Sequence, residues 1–97
     1  MVTEELLTEF KDEMNISHKS EDPKLKNLLS RSIIFVFEKC GEFDVEGNKY
    51  TDIRAKELVF NRARYAYNDA LEFFEDNFLS EITSLGIDMA GGENEEI

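Results

Sequence analysis

The sequence predicts an all-α protein: a small bundle of three to four helices built around one long C-terminal helix, with an acidic flexible tail. Three observations lead there. Apolar residues recur at steps of three and four in three separate segments, the spacing that stacks side chains along one face of a helix. Helix-start chemistry, Thr3 and then Asp22-Pro23, precedes the first two segments. The third segment, residues 51–85 (TDIRAKELVFNRARYAYNDALEFFEDNFLSEITSL), contains neither Pro nor Gly, the residues that most often interrupt a helix. A chain of 97 residues makes one domain that buries about 60–65% of its unfolded surface. The expected division is a helical unit over 1–87 and a tail over 88–97.

In residues 3–15, Leu6, Leu7, Phe10 and Met14 share a face, and Glu4, Glu5, Glu9 and Lys11 lie off it. Thr3 is the expected cap, and Glu4 and Glu5 suit the positive end of the helix dipole. The polar connector 15–20 has one apolar residue, Ile16, to tack it to the core. Asp22 as N-cap and Pro23 at the first helical position open a helix running to about Cys40, where Gly41 supplies a left-handed stop. Leu25, Leu28, Leu29, Ser32, Ile33, Val36, Phe37 and Cys40 form its face. The run IIFVF also suits a strand, but cap, Pro, spacing and terminal Gly agree on helix. Ile34 and Phe35 lie off that face, so this helix is either gripped from two sides or touches another chain. Residues 42–50 read as a loop with a turn at Gly47-Asn48.

The long helix follows, capped by Thr51 or Asp52 and ended by Gly86. One apolar line runs Ala55, Val59, Ala63, Ala66, Ala70 to Phe73 or Phe74; a second runs Phe60, Tyr67, Leu71, Phe74, Phe78. Its most polar break is Glu75-Asp76-Asn77, where Asn77 or Ser80 could cap a separate last helix. From Thr51 to Asp76 such a rod measures about 39 Å at 1.5 Å per residue. Two short helices cannot sheathe it, so part of its flank is expected to be buried against a partner.

Charge narrows the function. Twenty-two acids against eleven bases give a net charge of −11, which repels nucleic-acid phosphate and anionic membranes. The bases Lys49, Arg54, Lys56, Arg62 and Arg64 crowd together, and no base follows Arg64. The long helix is therefore basic first and acidic later, opposite to its own dipole. Solubility alone accounts for many surface acids. A polarity against the dipole points further, to a partner with the opposite arrangement: Arg54, Lys56, Arg62 and Arg64 of one copy facing Glu72, Glu75 and Asp76 of the next.

Little chemistry is on offer. His18 is the only histidine and sits in a polar loop; Cys40 is the only cysteine and falls on an apolar face. Neither has a partner residue that would make it a catalyst or metal ligand. Asp44, Glu46 and Asn48 around Gly47 echo a calcium loop but lack its further ligands. The expectation is no enzyme and no cofactor. One cysteine makes no internal disulfide, which fits a reducing compartment. No apolar run is long enough to span a membrane, and TEELLTEF has acids where a signal peptide needs bases; a soluble, unsecreted protein is expected.

Three segments resemble the small head–tail connector proteins of tailed bacteriophages, also called head-completion or DNA-packaging adaptors. TEELLTEFKDEMNIS is similar to their opening helix and turn, and EDPKLKNLLSRSIIFVFEKCG to their second helix, with Glu21-Asp22 at its start. ELVFNRARYAYNDALEFFEDNFLSEITSLGI resembles their long helix most closely, at Arg62, Arg64, Tyr65, Tyr67, Asn68, Leu71 and Phe74. The resemblance covers about residues 3 to 87; the tail lies outside it. It implies an all-helical structural protein of the virion, assembled from host cytoplasm. The protein would form a homo-oligomeric ring, commonly twelve-fold, under the portal protein. DNA would pass through the ring, and a downstream adaptor or stopper protein would dock beneath. The family carries no catalytic residues. Candidate subunit or portal contacts are Arg54, Lys56, Arg62, Arg64, Tyr65, Tyr67, Glu72, Glu75, Asp76 and Phe35. The tail is expected to order only on docking. Two other readings stand beside this one: an acidic DNA mimic, and a small regulatory helical protein of phage origin.

Overall fold

The structure, a computed structural model, describes the backbone of residues 2–95 and the side chains of residues 2–91. Four α-helices follow one another: α1 Glu4–Met14, α2 Asp22–Cys40, α3 Tyr50–Tyr67 and α4 Phe74–Glu95, with a 3-10 turn, Leu71–Phe73, leading into α4. No strand occurs among the described residues, so the all-α class read from the sequence is the observed one. The radius of gyration is 13.6 Å and the extents are 45 × 27 × 18 Å.

The antiparallel pair α2 and α3 is the centre. At one end Tyr67 donates to Glu21 at 2.7 Å; further along, Arg62 donates to Ser32 at 3.2 Å. Leu25, Leu29, Ile33 and Val36 from α2 meet Ala55, Val59 and Ala63 from α3, all buried. Small residues on α3 let the two helices approach closely. On α3, Phe60 meets Phe10 of α1 at a tilt, with ring centroids 5.4 Å apart, while Leu58 lines a cleft with Phe78 and Leu85 of α4. Two residues apart on a helix is roughly 200°, so α1 and α4 cover opposite sides of α3.

Several local expectations hold. The Thr3 side chain caps α1 by accepting from the Leu6 N–H at 3.1 Å. The IIFVF run is helical, with Ile33 and Val36 buried and Ile34 exposed. Other start signals are reassigned. Helix α2 begins at Asp22, not after it; Glu21 holds the cap position without a side-chain bond, and Asp22 pairs with Lys11 at 2.7 Å. Neither Thr51 nor Asp52 caps α3, whose cap position is Lys49. The buried Asp52 carboxylate instead accepts from the Asp44 N–H at 3.0 Å. That bond staples a turn centred on Val45-Glu46, closed by Gly47 N–H to Asp44 C=O at 2.8 Å, where 47–48 was expected. A Cβ at Gly47 would overlap the Asp52 carboxylate, so glycine is required for this close approach.

The long rod does not exist. Helix α3 stops after 18 residues, a length of about 27 Å, and the chain folds back as α4. Asp69 adopts a left-handed conformation, φ 58°. The Ala70 N–H reaches the Tyr65 carbonyl at 2.8 Å and the Asp69 N–H the Ala66 carbonyl at 3.2 Å, the paired bonds of a Schellman stop. Asn15 ends α1 in the same manner, φ 59°. The polar break expected at 75–77 is matched only by a kink at Phe78 inside α4. Gly86 does not end the helix; it packs against the backbone of Lys39 and Cys40. Nor is 87/88 a boundary in the fold: Asp88 pairs with Arg54, Met89 lies against Gly41, and α4 continues to Glu95. The tail side chains from residue 92 onward, and with them the docking role expected of the tail, lie outside the described residues.

The fold-back also reverses the dipole argument. With the helix divided, Glu75 and Asp76 stand in the first turn of α4 and Arg64 in the last turn of α3. Each charge now favours its own helix dipole. Arg54 and Lys56 remain in the first half of α3, where Asp88 and Glu9 of the same chain pair with them.

Candidate interaction surface

The candidate contact residues gather on two regions of the bundle. Around the middle of α2, the Phe35 ring is half-buried with Arg62 over it at 4.7 Å and Lys39 at 5.7 Å. Phe74 meets it edge-on at 5.9 Å, and Glu75 answers Lys39 at 3.4 Å. Burial pushes the Arg62 guanidinium below its ordinary range; Glu75 opposes the shift and Arg31 adds to it. Tyr65 packs edge-on against Phe74 at 5.7 Å and Phe78 at 5.6 Å and accepts from Asn77 at 3.1 Å. The hydrogen bond to Glu21 raises the Tyr67 phenol above its ordinary value, and Lys24 lies 5.4 Å over its ring. Arg62, Tyr65, Tyr67 and Phe35 thus bind α2, α3 and α4 of one chain together.

Two further cations are also engaged within the chain. Arg54 pairs with Asp88 and donates to Ser84 at 3.1 Å. Lys56 pairs with Glu9 at 2.9 Å. Arg64 is exposed, and its described bond is to Asn61 on its own helix. Glu72 and Asp76 are exposed. The acids and bases expected to meet between copies are therefore drawn mostly into one molecule, with Arg64, Glu72 and Asp76 left facing out.

Sequence reasoning missed the outer face of α4. Leu79, Ser80, Thr83, Ser84 and Ile87 line a shallow open depression together with Asp76 and Asp88. Leu79 is 58% exposed and Ile87 66%. Between Asp76 and Asp88 its lining is uncharged, although about a third of the chain is charged. Its signal was present in the spacing 76, 79/80, 83/84, 87, but the inner line of the same helix, Phe74, Phe78, Ile82 and Leu85, masked it. A second feature lies between α1 and α3: a groove of about 390 Å³. Phe10, Met14 and Phe60 floor it, Ile53 and Arg64 stand toward its ends, and Glu9, Glu13, Lys56 and Glu57 rim it.

His18 is exposed and shares a hydrogen bond with Ser20 at 2.9 Å. Cys40 is buried, its thiol directed at the Ile82 carbonyl at 3.4 Å; burial raises its pKa against a smaller lowering by Arg54. No group of His, Cys, Asp or Glu suited to a metal ion occurs among the described residues. Among them, too, no helix is long and apolar enough to cross a membrane. The fold and surface define the chain as a small helical bundle with an open strip of exposed residues on α4 and a groove of mixed polarity between α1 and α3. Comparison with protein-family models, curated proteins and solved structures finds no match.

Proposed function

We propose that this chain is a structural adaptor at the head–tail joint of a tailed bacteriophage, forming a ring under the capsid portal and docking the next adaptor or stopper. The observation that carries the reading is the resemblance of three helical segments to that family, closest over residues 57–87. The exposed Leu79 and Ile87 on the outer face of α4 support it, because apolar side chains left open on a highly charged surface suit a contact with a partner. The acidic surface suits a channel wall, since like charge keeps DNA from adhering as it passes. The side chains have mechanical work here: Arg62, Tyr65, Tyr67 and Phe74 hold the helices rigid so that the outer surfaces keep their shape. Before assembly the chain would reside in the host cytoplasm, and afterwards in the virion.

The test is mass measurement of the purified chain alone and mixed with the portal protein of the same phage, together with a search for the chain in purified virions. A stoichiometric ring on the portal is expected. No complex with portal, and no copies in virions, would overturn the reading. Capture by a basic DNA-binding protein instead would favour the DNA-mimic alternative.

A further inference from the structure

We propose that the outward face of α2 docks a helix of a different protein, one that sets carboxylates a heptad apart against Lys24 and Arg31 and an apolar side chain against Ile34. The proposal is independent of the adaptor reading and needs only the surface of this chain.

The face is a stripe. Both flanks of α2 are covered by its own chain. On one side Lys26 pairs with Glu4 of α1 at 2.8 Å. On the other, Ser32 accepts from Arg62 of α3 and Lys39 pairs with Glu75 of α4. Lys24, Asn27, Arg31, Ile34 and Glu38 are left exposed. Their steps are three, four, three and four, the seam along which one helix lies on another. The stripe is about 21 Å long at 1.5 Å per residue. By sequence, Ile34 and Phe35 lie equally off the buried face; the structure separates them. Phe35 lies beneath Arg62 and Lys39 of its own chain, whereas Ile34 is 47% exposed.

Charge selects the occupant. Acids outnumber bases two to one, and Lys11, Lys26, Lys39, Arg54 and Lys56 each pair with an acid of the same chain. Among the described residues Arg31 and Lys24 have no such pair; Lys24 lies over the Tyr67 ring instead. Arg31 has a second cation as a neighbour, Arg62, whose pKa it lowers. Glu75 offsets that effect but is itself engaged with Lys39. A carboxylate arriving at Arg31 relieves the repulsion between the two guanidinium groups.

The same charges disfavour other occupants. A second α2 laid antiparallel on the stripe in register sets Arg31 against Arg31, and a parallel one sets Lys24 against Lys24 as well. A nucleic-acid backbone meets Glu38 at one end and a chain of net charge −11 around it. A helix whose acids are confined to two seam positions, with an apolar anchor one turn on, meets neither objection.

The test is fluorescence anisotropy of labelled, alanine-based helical peptides titrated with the full-length chain. Two probes carry Glu, Glu and Leu spaced seven and then three residues apart, one in that order and one reversed, to cover parallel and antiparallel docking. One of them should bind. Its binding should weaken at least ten-fold against Arg31→Glu and several-fold against Ile34→Ala. Changing the probe's Glu that faces Arg31 to Lys should restore binding to Arg31→Glu. Both substituted positions are exposed, and circular dichroism matching the parent separates loss of contact from loss of fold. No binding of either probe at millimolar protein would overturn the proposal. So would unchanged binding to Arg31→Glu, equal binding of a probe whose two Glu and Leu sit on different faces, or tighter binding of a single-stranded oligonucleotide.

Discussion

Phe73 and Phe74 are neighbours of identical chemistry, and the fold-back makes opposite demands on them. Tyr67 bonds Glu21 at the very start of α2, so a helix carried straight past Tyr67 would leave α2 behind. Because the chain turns at Asp69, Phe74 lands instead against Phe35 at 5.9 Å, Tyr65 at 5.7 Å and Phe78 at 4.8 Å. It is 1% exposed, whereas Phe73 is 57% exposed. Truncating a buried Phe to Ala costs about 3–5 kcal/mol; an exposed position away from special features costs within about 0.5 kcal/mol. Phe74→Ala should therefore remove a large share of a stability on the order of 5–15 kcal/mol. The melting temperature should fall by at least about 12 °C, at roughly 4 °C per kcal/mol for a domain of this size. Phe73→Ala should unfold as the parent does. Urea titrations followed by helical circular dichroism, with a shared m-value, give both numbers. A cost below about 1 kcal/mol for Phe74→Ala, or equal costs for the two, would refute the α3–α4 hairpin.

Three further outcomes follow from local geometry. Asp69→Gly should be neutral or stabilise slightly, and Asp69→Val should cost about 1–2 kcal/mol, because only the second strains the left-handed residue; thermal melts of the pair decide. Asp52→Ala should cost about 1.5–3 kcal/mol, the loss of a charged acceptor that leaves the Asp44 N–H unpaired, and hydrogen exchange at the 44–47 turn should accelerate with it. For Cys40, burial places the folded pKa above the unfolded one, so folding favours the protonated thiol. That contribution is whole below about pH 8.5 and is lost as pH rises through the folded value. Denaturant midpoints measured from pH 7 to 10 should show an alkaline decline in the parent that is smaller in Cys40→Ala. An identical decline in both would exclude the thiol as its source.

The existence and faces of the helices were legible in the sequence because helical periodicity is a local property. Thr3 beside an acidic first turn specified the start of α1, and Leu25 to Cys40 at steps of three and four specified which side of α2 goes inward. The turn at Asn68–Asp69 was not read, although Asn15 ends α1 by the same left-handed device. An aspartate enters that conformation more readily than most residues, because its short polar side chain can bond locally, so the turn forms without a glycine to announce it. What decides the matter is the burial of Phe74, Ile82 and Leu85 against α2 and α3, and that energy exists only once the chain has turned back. The same return brings Arg54 to Asp88 and Gly86 to Lys39. It also turns acids that opposed one long dipole into acids that suit a second, shorter helix. Sequence alone determined which residues prefer helix and which side chains seek the interior. Tertiary packing decided where the helix ends, which charges pair within the molecule, and which strip of α4 is left uncovered, because each depends on contacts between residues far apart in the chain.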